Sequence, residues 1–305
     1  MSLYHKYRPA SLDEICGNEE MVAALRAIVG SPDKPHAYLF FGPTGCGKTT
    51  LGRILADMLG CKGQHDFREI NTADFRGIDT IRDVIRQSQF KALESLVRVW
   101  LIDECHKLTG DAQNAMLKIL EEPPEHVYFV LCTTELDKLL PTVRGRCSVF
   151  SVSLLSDNQM LRLLRRTAKA EGAQLEKQLY EQMIQDSLGH PRDALQTLEQ
   201  VLRADPSERL RVARRTAETT SQTVELCRAL VGMVGWKKVS SILSGLRNEE
   251  PEQLRRAVLG YCQSILLRGE DNERIGLVME KFVDNFYDSG WPGLLFACYC
   301  VVKEK

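Results

Sequence analysis

The chain has 305 residues, enough for two or three domains that each bury a core of their own. Forty basic against 41 acidic residues leave a formal charge of −1, which excludes a global field that recruits nucleic acid; any such binding has to come from a local patch. The N-terminal stretch lacks the apolar core of a signal peptide, and no apolar run approaches the ~20 residues that span a bilayer, so the expectation is a soluble, cytoplasmic protein without a membrane partner. The ten cysteines form no C-x-x-C, and several lie inside apolar runs where cysteine acts as a small hydrophobe. They read as reduced thiols with no cysteine-based zinc site.

In chain order, a Tyr/Lys/Arg/Pro cluster at 4–9 precedes a helical pattern of Met21, Leu25, Ile28 and Val29, which the proline-rich stretch 31–35 ends. Apolar Tyr38–Phe41 predicts a strand, the segment Gly42-Pro43-Thr44-Gly45-Cys46-Gly47-Lys48-Thr49-Thr50 fits G-x-x-x-x-G-K-[ST], and Thr49–Leu59 follows helical spacing. Phe67–Ile70 is a short strand candidate, and Ile78, Ile81 and Ile85 mark a helix. The run 97–102 predicts a buried parallel strand that delivers Asp103 and Glu104 at its C-terminal end, where open α/β sheets bind ligands. A helix from about 111 to 122 stops at Pro123-Pro124, Val127–Cys132 is the next strand, and Val149–Val152 closes the series.

Strands alternating with helices from 38 to 152 predict a doubly wound parallel α/β domain over 1–153. Beyond Leu155 the patterns are helical: a small helical domain over 154–205, a hinge at Asp205-Pro206, and five amphipathic helices packed as a bundle over 206–305.

The glycine-rich loop turns backbone N–H groups onto phosphate oxygens, and the helix N-terminus adds positive potential. Lys48 supplies a mobile charge for the outer phosphates and Thr49 a hydroxyl for Mg²⁺. Asp103 can hold Mg²⁺ directly or through water, while Glu104 can orient or deprotonate an attacking water. Thr134, at the end of the next strand, is placed to sense the γ-phosphate or position the water. Arg146 lies on a loop between strands and would reach a neighbour's phosphates as an arginine finger if subunits form a ring. Arg192 begins a helix, where a base opposes the helix dipole and so points to an anionic partner. Arg82 and Arg86 share one helix face and, with Arg76, could track DNA phosphates, although Asp79 and Asp83 balance them on the same helix.

The ordered motifs Y-H-K-Y-R-P at 4–9, the P-loop, L-I-D-E-C-H, A-x-L-K-I-L-E-E-P-P-E-H, C-T-T-E, R-G-R-C and G-H-P-R-D-A-L together resemble the ATPase subunits of sliding-clamp loaders. The bacterial gamma/tau pattern and the small subunits of replication factor C are the nearest in kind. The resemblance implies an AAA+ module, a helical lid and a collar that holds a five-subunit ring. It implies ATP and Mg²⁺ at subunit interfaces, copies of the same chain with a different smaller subunit, and a sliding clamp and primer–template DNA as partners.

Carried over by position, Lys48 and Thr49 form Walker A, Asp103 and Glu104 Walker B, Thr134 sensor 1, Arg146 the trans finger and Arg192 sensor 2. Tyr7, Arg8 and Pro9 match the segment lining the nucleotide base, while Gln113 and Lys118 match a helix coupling Walker B to DNA. Three departures stand out: the four-cysteine zinc module is reduced to Cys61, so no zinc is expected; Gly145 replaces a serine before the finger, leaving its loop more flexible; and the chain ends with the collar. They suggest a minimal version, from a bacteriophage or a divergent bacterium.

Other readings are a helicase or helicase loader, from the D-E-C-H box at 103–106, and a non-catalytic scaffold subunit. The helicase class needs two RecA-like domains where one P-loop is present, and a scaffold would be expected to lose Lys48, Glu104 or Arg146. The histidines at 5, 36, 65, 106, 126 and 190 are scattered and read as surface or packing residues.

Overall fold

The computed structural model describes residues 2–63, 65–72, 77–206, 208–247, 249–266 and 273–304, apart from the side chains of 211, 214–221 and 264. They divide into two compact units, Met1–Arg203 and Ala204–Lys305. In the first, α1 (Leu3–Lys6) and α2 (Glu19–Val29) precede β1 (Ala37–Phe41), α3 (Lys48–Met58), β2 (Phe67–Asn71), α4 (Ile78–Ser88) and β3 (Arg98–Asp103). Then come α5 (Gly110–Glu121), β4 (Val127–Thr133), α6 (Pro141–Arg144) and β5 (Ser148–Ser151), followed by α7 (Asp157–Ala170), α8 (Lys177–Ser187) and α9 (Pro191–Arg203).

The five strands form one parallel sheet in the order β2-β3-β4-β1-β5. The continuous apolar runs of β1 and β4 serve two cores, because successive side chains leave a strand on opposite faces. Tyr38, Phe40, Tyr128 and Val130 pack with Leu51 and Leu55 of α3, whereas Leu39, Phe129 and Leu131 pack with Ile81 of α4 and Met116 of α5. β2 is an edge strand, and its polar sequence Phe-Arg-Glu-Ile-Asn is correspondingly half exposed.

Cys61, just past α3, is buried in the first of these cores. The turn after it is held by Ser95 Oγ, which accepts the backbone N–H groups of Lys62 and Gly63 at 2.9 and 2.8 Å. Buried Asp66 accepts N–H groups from Leu93, Glu94 and Ser95, each at 2.8 Å, with Arg98 at 3.6 Å. Burial raises the Asp66 pKa, but the three backbone donors and Arg98 outweigh it and leave the carboxyl below its ordinary value. Among the described residues, no group of three or more His, Cys, Asp or Glu side chains is disposed to hold a metal ion.

The second unit is all helical: α10 (Arg209–Val231), α11 (Trp236–Gly245), α12 (Pro251–Leu266), α13 (Glu273–Phe282) and α14 (Gly290–Lys303). Leu230, Leu243, Val258, Val278, Leu294 and Val301 meet in its core. The apolar spacing Ile275–Phe286 suggests a longer α13, but the helix stops at Phe282. The N–H of Phe286 instead donates to the buried Glu252 carboxylate at 3.1 Å, so that backbone is committed to a side chain and Phe286 packs from the following turn. Among the described residues no helix is long and apolar enough to cross a membrane.

Candidate nucleotide-binding site

The loop between β1 and α3 is shaped by glycine where nothing larger fits. At Gly42, φ is +152° and a Cβ would collide with the Val152 carbonyl oxygen; at Gly45, φ is +77° and a Cβ would lie 3.3 Å from Cβ of Arg192. α9 therefore comes down directly over the loop. A cavity of about 400 Å³ opens there, within the size range of small-molecule sites. Tyr7, Arg8 and Pro9 line it together with Thr44–Leu51, Asp103, Glu104 and Arg192, so most of the residues singled out from the sequence share one space.

Lys48 is buried, and its Nζ donates to the carbonyls of Gly42 and Pro43 at 2.8 and 2.7 Å. Burial lowers its pKa, with Glu104 opposing. Thr49 Oγ1 donates to Asp103 Oδ2 at 2.8 Å, which ties the start of α3 to the C-terminal end of β3. Arg8 is also pushed below its ordinary value, by burial and by Arg53 and Arg192, with Glu69 opposing. Several cations thus converge on one cavity, an arrangement that favours an anionic ligand.

Glu104 breaks from the strand in the left-handed region, at φ 53° and ψ 35°. Its N–H donates to Asp103 Oδ1 at 3.0 Å, and its carbonyl accepts from Thr72 Oγ1 at 2.6 Å and from Lys107 N at 2.8 Å. The backbone of this carboxylate is therefore fixed and only its side chain is free to turn. Beside it lies His106, buried on the turn Cys105–Lys107; burial lowers its pKa, with Glu104 and Glu135 opposing.

The remaining candidates lie elsewhere. Thr134 follows β4 half buried and is not among the residues lining the cavity. Arg146 is also outside it: Nη2 and Nε donate to Glu121 Oε2 at 2.7 and 3.2 Å, and Nη1 to the Thr142 carbonyl at 3.0 Å. Gly145, next to it, has φ −66° and ψ −14°, a conformation open to any residue, so the backbone does not require a glycine there. Gln113 is buried, donating to the carbonyls of Leu108 and Lys138 and accepting from Leu140 N at 2.9 Å, whereas Lys118 is exposed. Arg82 pairs with Asp79 at 3.1 Å and Arg86 with Asp83, both on the outer face of α4. Arg76 lies outside the described residues.

Sequence reasoning missed several residues at the cavity rim. His190 Nδ1–H donates to the Thr44 carbonyl at 2.9 Å, tying the start of α9 to the phosphate loop, and Arg192 sits 5.6 Å from the Tyr4 ring centroid. Tyr7 bonds to Glu171, and Arg166 donates to the Glu14 carbonyl at 3.0 Å, so the N-terminal arm is strapped to α7 and the turn after it.

Residues 62–156 match the family described as DNA polymerase III, delta subunit. The DNA polymerase III subunit gamma/tau of Mycobacterium tuberculosis (strain H37Rv) is 33% identical over 307 residues, covering 93% of this chain and 50% of that protein. The chain belongs to the clamp-loader AAA+ family. The replication factor C small subunit of Methanococcus vannielii is 34% identical over 197 residues, covering 64% of this chain and 62% of the relative. This clamp-loader AAA+ chain spans about half the length of the mycobacterial proteins it matches. In fold it is also similar to the Holliday junction branch migration motor RuvB of Thermotoga maritima, with a TM-score of 0.60 at 20% identity over 78% of this chain and 85% of that one.

Proposed function

We propose that this chain is the ATPase subunit of a cytoplasmic sliding-clamp loader, which uses ATP binding to open the clamp and DNA-stimulated hydrolysis to release it on primer–template DNA. The observation that carries the reading is the Thr49–Asp103 hydrogen bond beside Lys48, Glu104 and Arg192 in a cavity whose loop tolerates no Cβ at Gly42. These residues fit ATP with Mg²⁺: the loop offers backbone donors, and Thr49 and Asp103 offer the few protein oxygens that Mg²⁺ usually takes beside water and phosphate. Held by Thr49 and Asp103, Mg²⁺ would supply positive charge that offsets the charge developing during transfer.

Lys48 exchanges its two carbonyl partners for phosphate oxygens. Glu104 orients the attacking water and accepts its proton, and Thr134 reports on the outer phosphate from the end of β4. Arg192 supplies positive charge from the lid at 154–205. Arg146, paired with Glu121 in its own chain, acts on the site of a neighbouring copy in a five-subunit ring held by collars at 206–305, with a smaller, different subunit completing it.

Arg82 and Arg86, with Arg76, exchange Asp79 and Asp83 for DNA phosphates, and Gln113 and Lys118 on α5 couple that face to Walker B. For the clamp, the loop after α4 exposes Phe90, Leu93 and Leu96 at 65, 76 and 88%, an apolar cluster suited to a partner's hydrophobic pocket.

Co-purification of the chain with its clamp and smaller subunit, followed by ATPase assays with and without primed DNA, tests the reading. Stimulation by both partners, lost in Glu104→Gln, is expected. Full activity in that variant would remove Glu104 from its role.

A further inference from the structure

Two carboxylates face one nitrogen of the His106 ring. Nδ1 lies 3.0 Å from Thr133 Oγ1, and Nε2 faces Glu104 Oε2 at 3.5 Å and Glu135 Oε1 at 3.3 Å. Thr133 Oγ1 already accepts the backbone N–H of Glu135 at 3.0 Å, so its own hydrogen can go to Nδ1. A bare Nε2 lone pair would be repelled by both carboxylates, whereas an Nε2–H satisfies them; the geometry therefore selects that tautomer.

We propose that His106 is a positioning residue that shares its Nε2–H between Glu104 and Glu135 and so sets where the Glu104 carboxylate points. Both separations exceed the 2.7–3.2 Å of a strong N–H···O bond. Neither carboxylate holds the hydrogen alone. When Glu104 turns toward water, Glu135, 3.3 Å from Nε2, is the carboxylate that can close on the N–H, so that no buried donor is stranded. Lys107, 4.0 Å from Glu104, and Lys138, 2.7 Å from Glu135, offset the two negative charges. The same ring ties Glu104 to the end of β4, where Thr134 stands between Thr133 and Glu135 in the chain, so a shift there is transmitted to the carboxylate.

This inference rests on the reading of Glu104 as the residue that acts on water. The test compares His106→Leu, His106→Gln, Glu135→Ala and the Leu/Ala double variant in the assembled loader with clamp and primed DNA, and records the imidazole nitrogen-15 spectrum of the full chain. His106→Leu should lower kcat about tenfold with KM for ATP unchanged, as expected when a reacting group is misplaced. His106→Gln, whose amide N–H reaches the same place, should keep most of the activity.

Glu135→Ala, by leaving the hydrogen on Glu104, should lower kcat about threefold and add nothing to His106→Leu, since residues in one network are not additive. The spectrum should show the Nε2–H tautomer. Unchanged kcat in His106→Leu, equal losses in Leu and Gln with a raised KM, additive effects of the two sites, or an Nδ1–H tautomer would each overturn the proposal. If His106→Leu does not fold, the Gln and Glu135 variants and the spectrum still decide it. Full activity in Glu104→Gln would instead overturn the parent reading, a result the tautomer does not affect.

Discussion

Lys48 and Glu252 are both buried, at 5% and 4% exposure, one in each unit, and they are held in opposite ways. Lys48 leans on two backbone carbonyls that a ligand can replace, and burial pushes its pKa down. Glu252 is gripped by Arg255 through both oxygens at 2.7 and 2.9 Å, by Arg256 at 3.3 Å and by the Phe286 N–H at 3.1 Å. Those bonds, Arg255 first, pull its carboxyl down to about 2 against the effect of burial. Lys48 thus rests on neutral backbone acceptors, whereas Glu252 is fastened by charged partners, and Asp66 is fastened within the first unit by three backbone N–H groups and Arg98. On the proposed function, Arg146 on Glu121, and Arg82 and Arg86 on their aspartates, would exchange these partners for phosphates.

The largest effect should come from the exchangeable arginine. Arg146→Ala is expected to reduce hydrolysis in assembled rings about a thousandfold, the range of arginine fingers, while isolated chains bind ATP as before; lost binding in the isolated chain would remove the trans role. Lys48→Ala should weaken nucleotide binding about a hundredfold, ~2.7 kcal/mol, measured by titration, without lowering the melting temperature. A fall in melting temperature would mean that its carbonyl bonds are structural, and the contrast with Glu252 would collapse.

Glu252→Gln should destabilise the chain by about 2 kcal/mol, as for bonds to a charged group. Because the folded pKa is depressed, the stability this residue contributes is present above the unfolded value of about 4.3 and is lost as pH falls toward about 2. The variant's melting temperature should therefore vary less over that acid range than the parent's. The smallest change is Gly145→Ala, whose Cβ would lie 3.4 Å from the Pro141 carbonyl. It should stabilise by roughly 0.5 kcal/mol through the unfolded chain and leave ring ATPase unchanged; reduced ATPase would show that the finger needs a glycine.

The sheet was legible because β1 and β4 are almost wholly apolar runs and β3 carries an apolar stretch from Val99 to Ile102, and the phosphate loop because its glycines precede a helix; both signals are local. The helix Lys177–Ser187 carried a usable pattern in Leu179, Tyr180, Met183 and Ile184, although its bounds were not drawn from it. The i,i+3 pairs on α4 were likewise open to local reading. What stayed hidden were partners brought together by tertiary approach: His190 with Thr44, Tyr7 with Glu171, Arg146 with Glu121 and His106 with Glu135. Spacing names a side chain and its face, but not the group that meets it across the fold. Scattered histidines consequently read as packing residues when two of them touch the site.

The ion pair of Arg146 with Glu121 bears on how ring assembly responds to salt. A finger that leaves one carboxylate for a neighbour's phosphate exchanges one partly exposed ion pair for another, and added salt screens both. This residue should thus contribute little to the ionic-strength dependence of association, even though it carries a full charge across the interface. If Arg146 acts in trans as proposed, Glu121 would serve as a competing anion, and a site would need to offer more negative charge than one carboxylate to draw the arginine away.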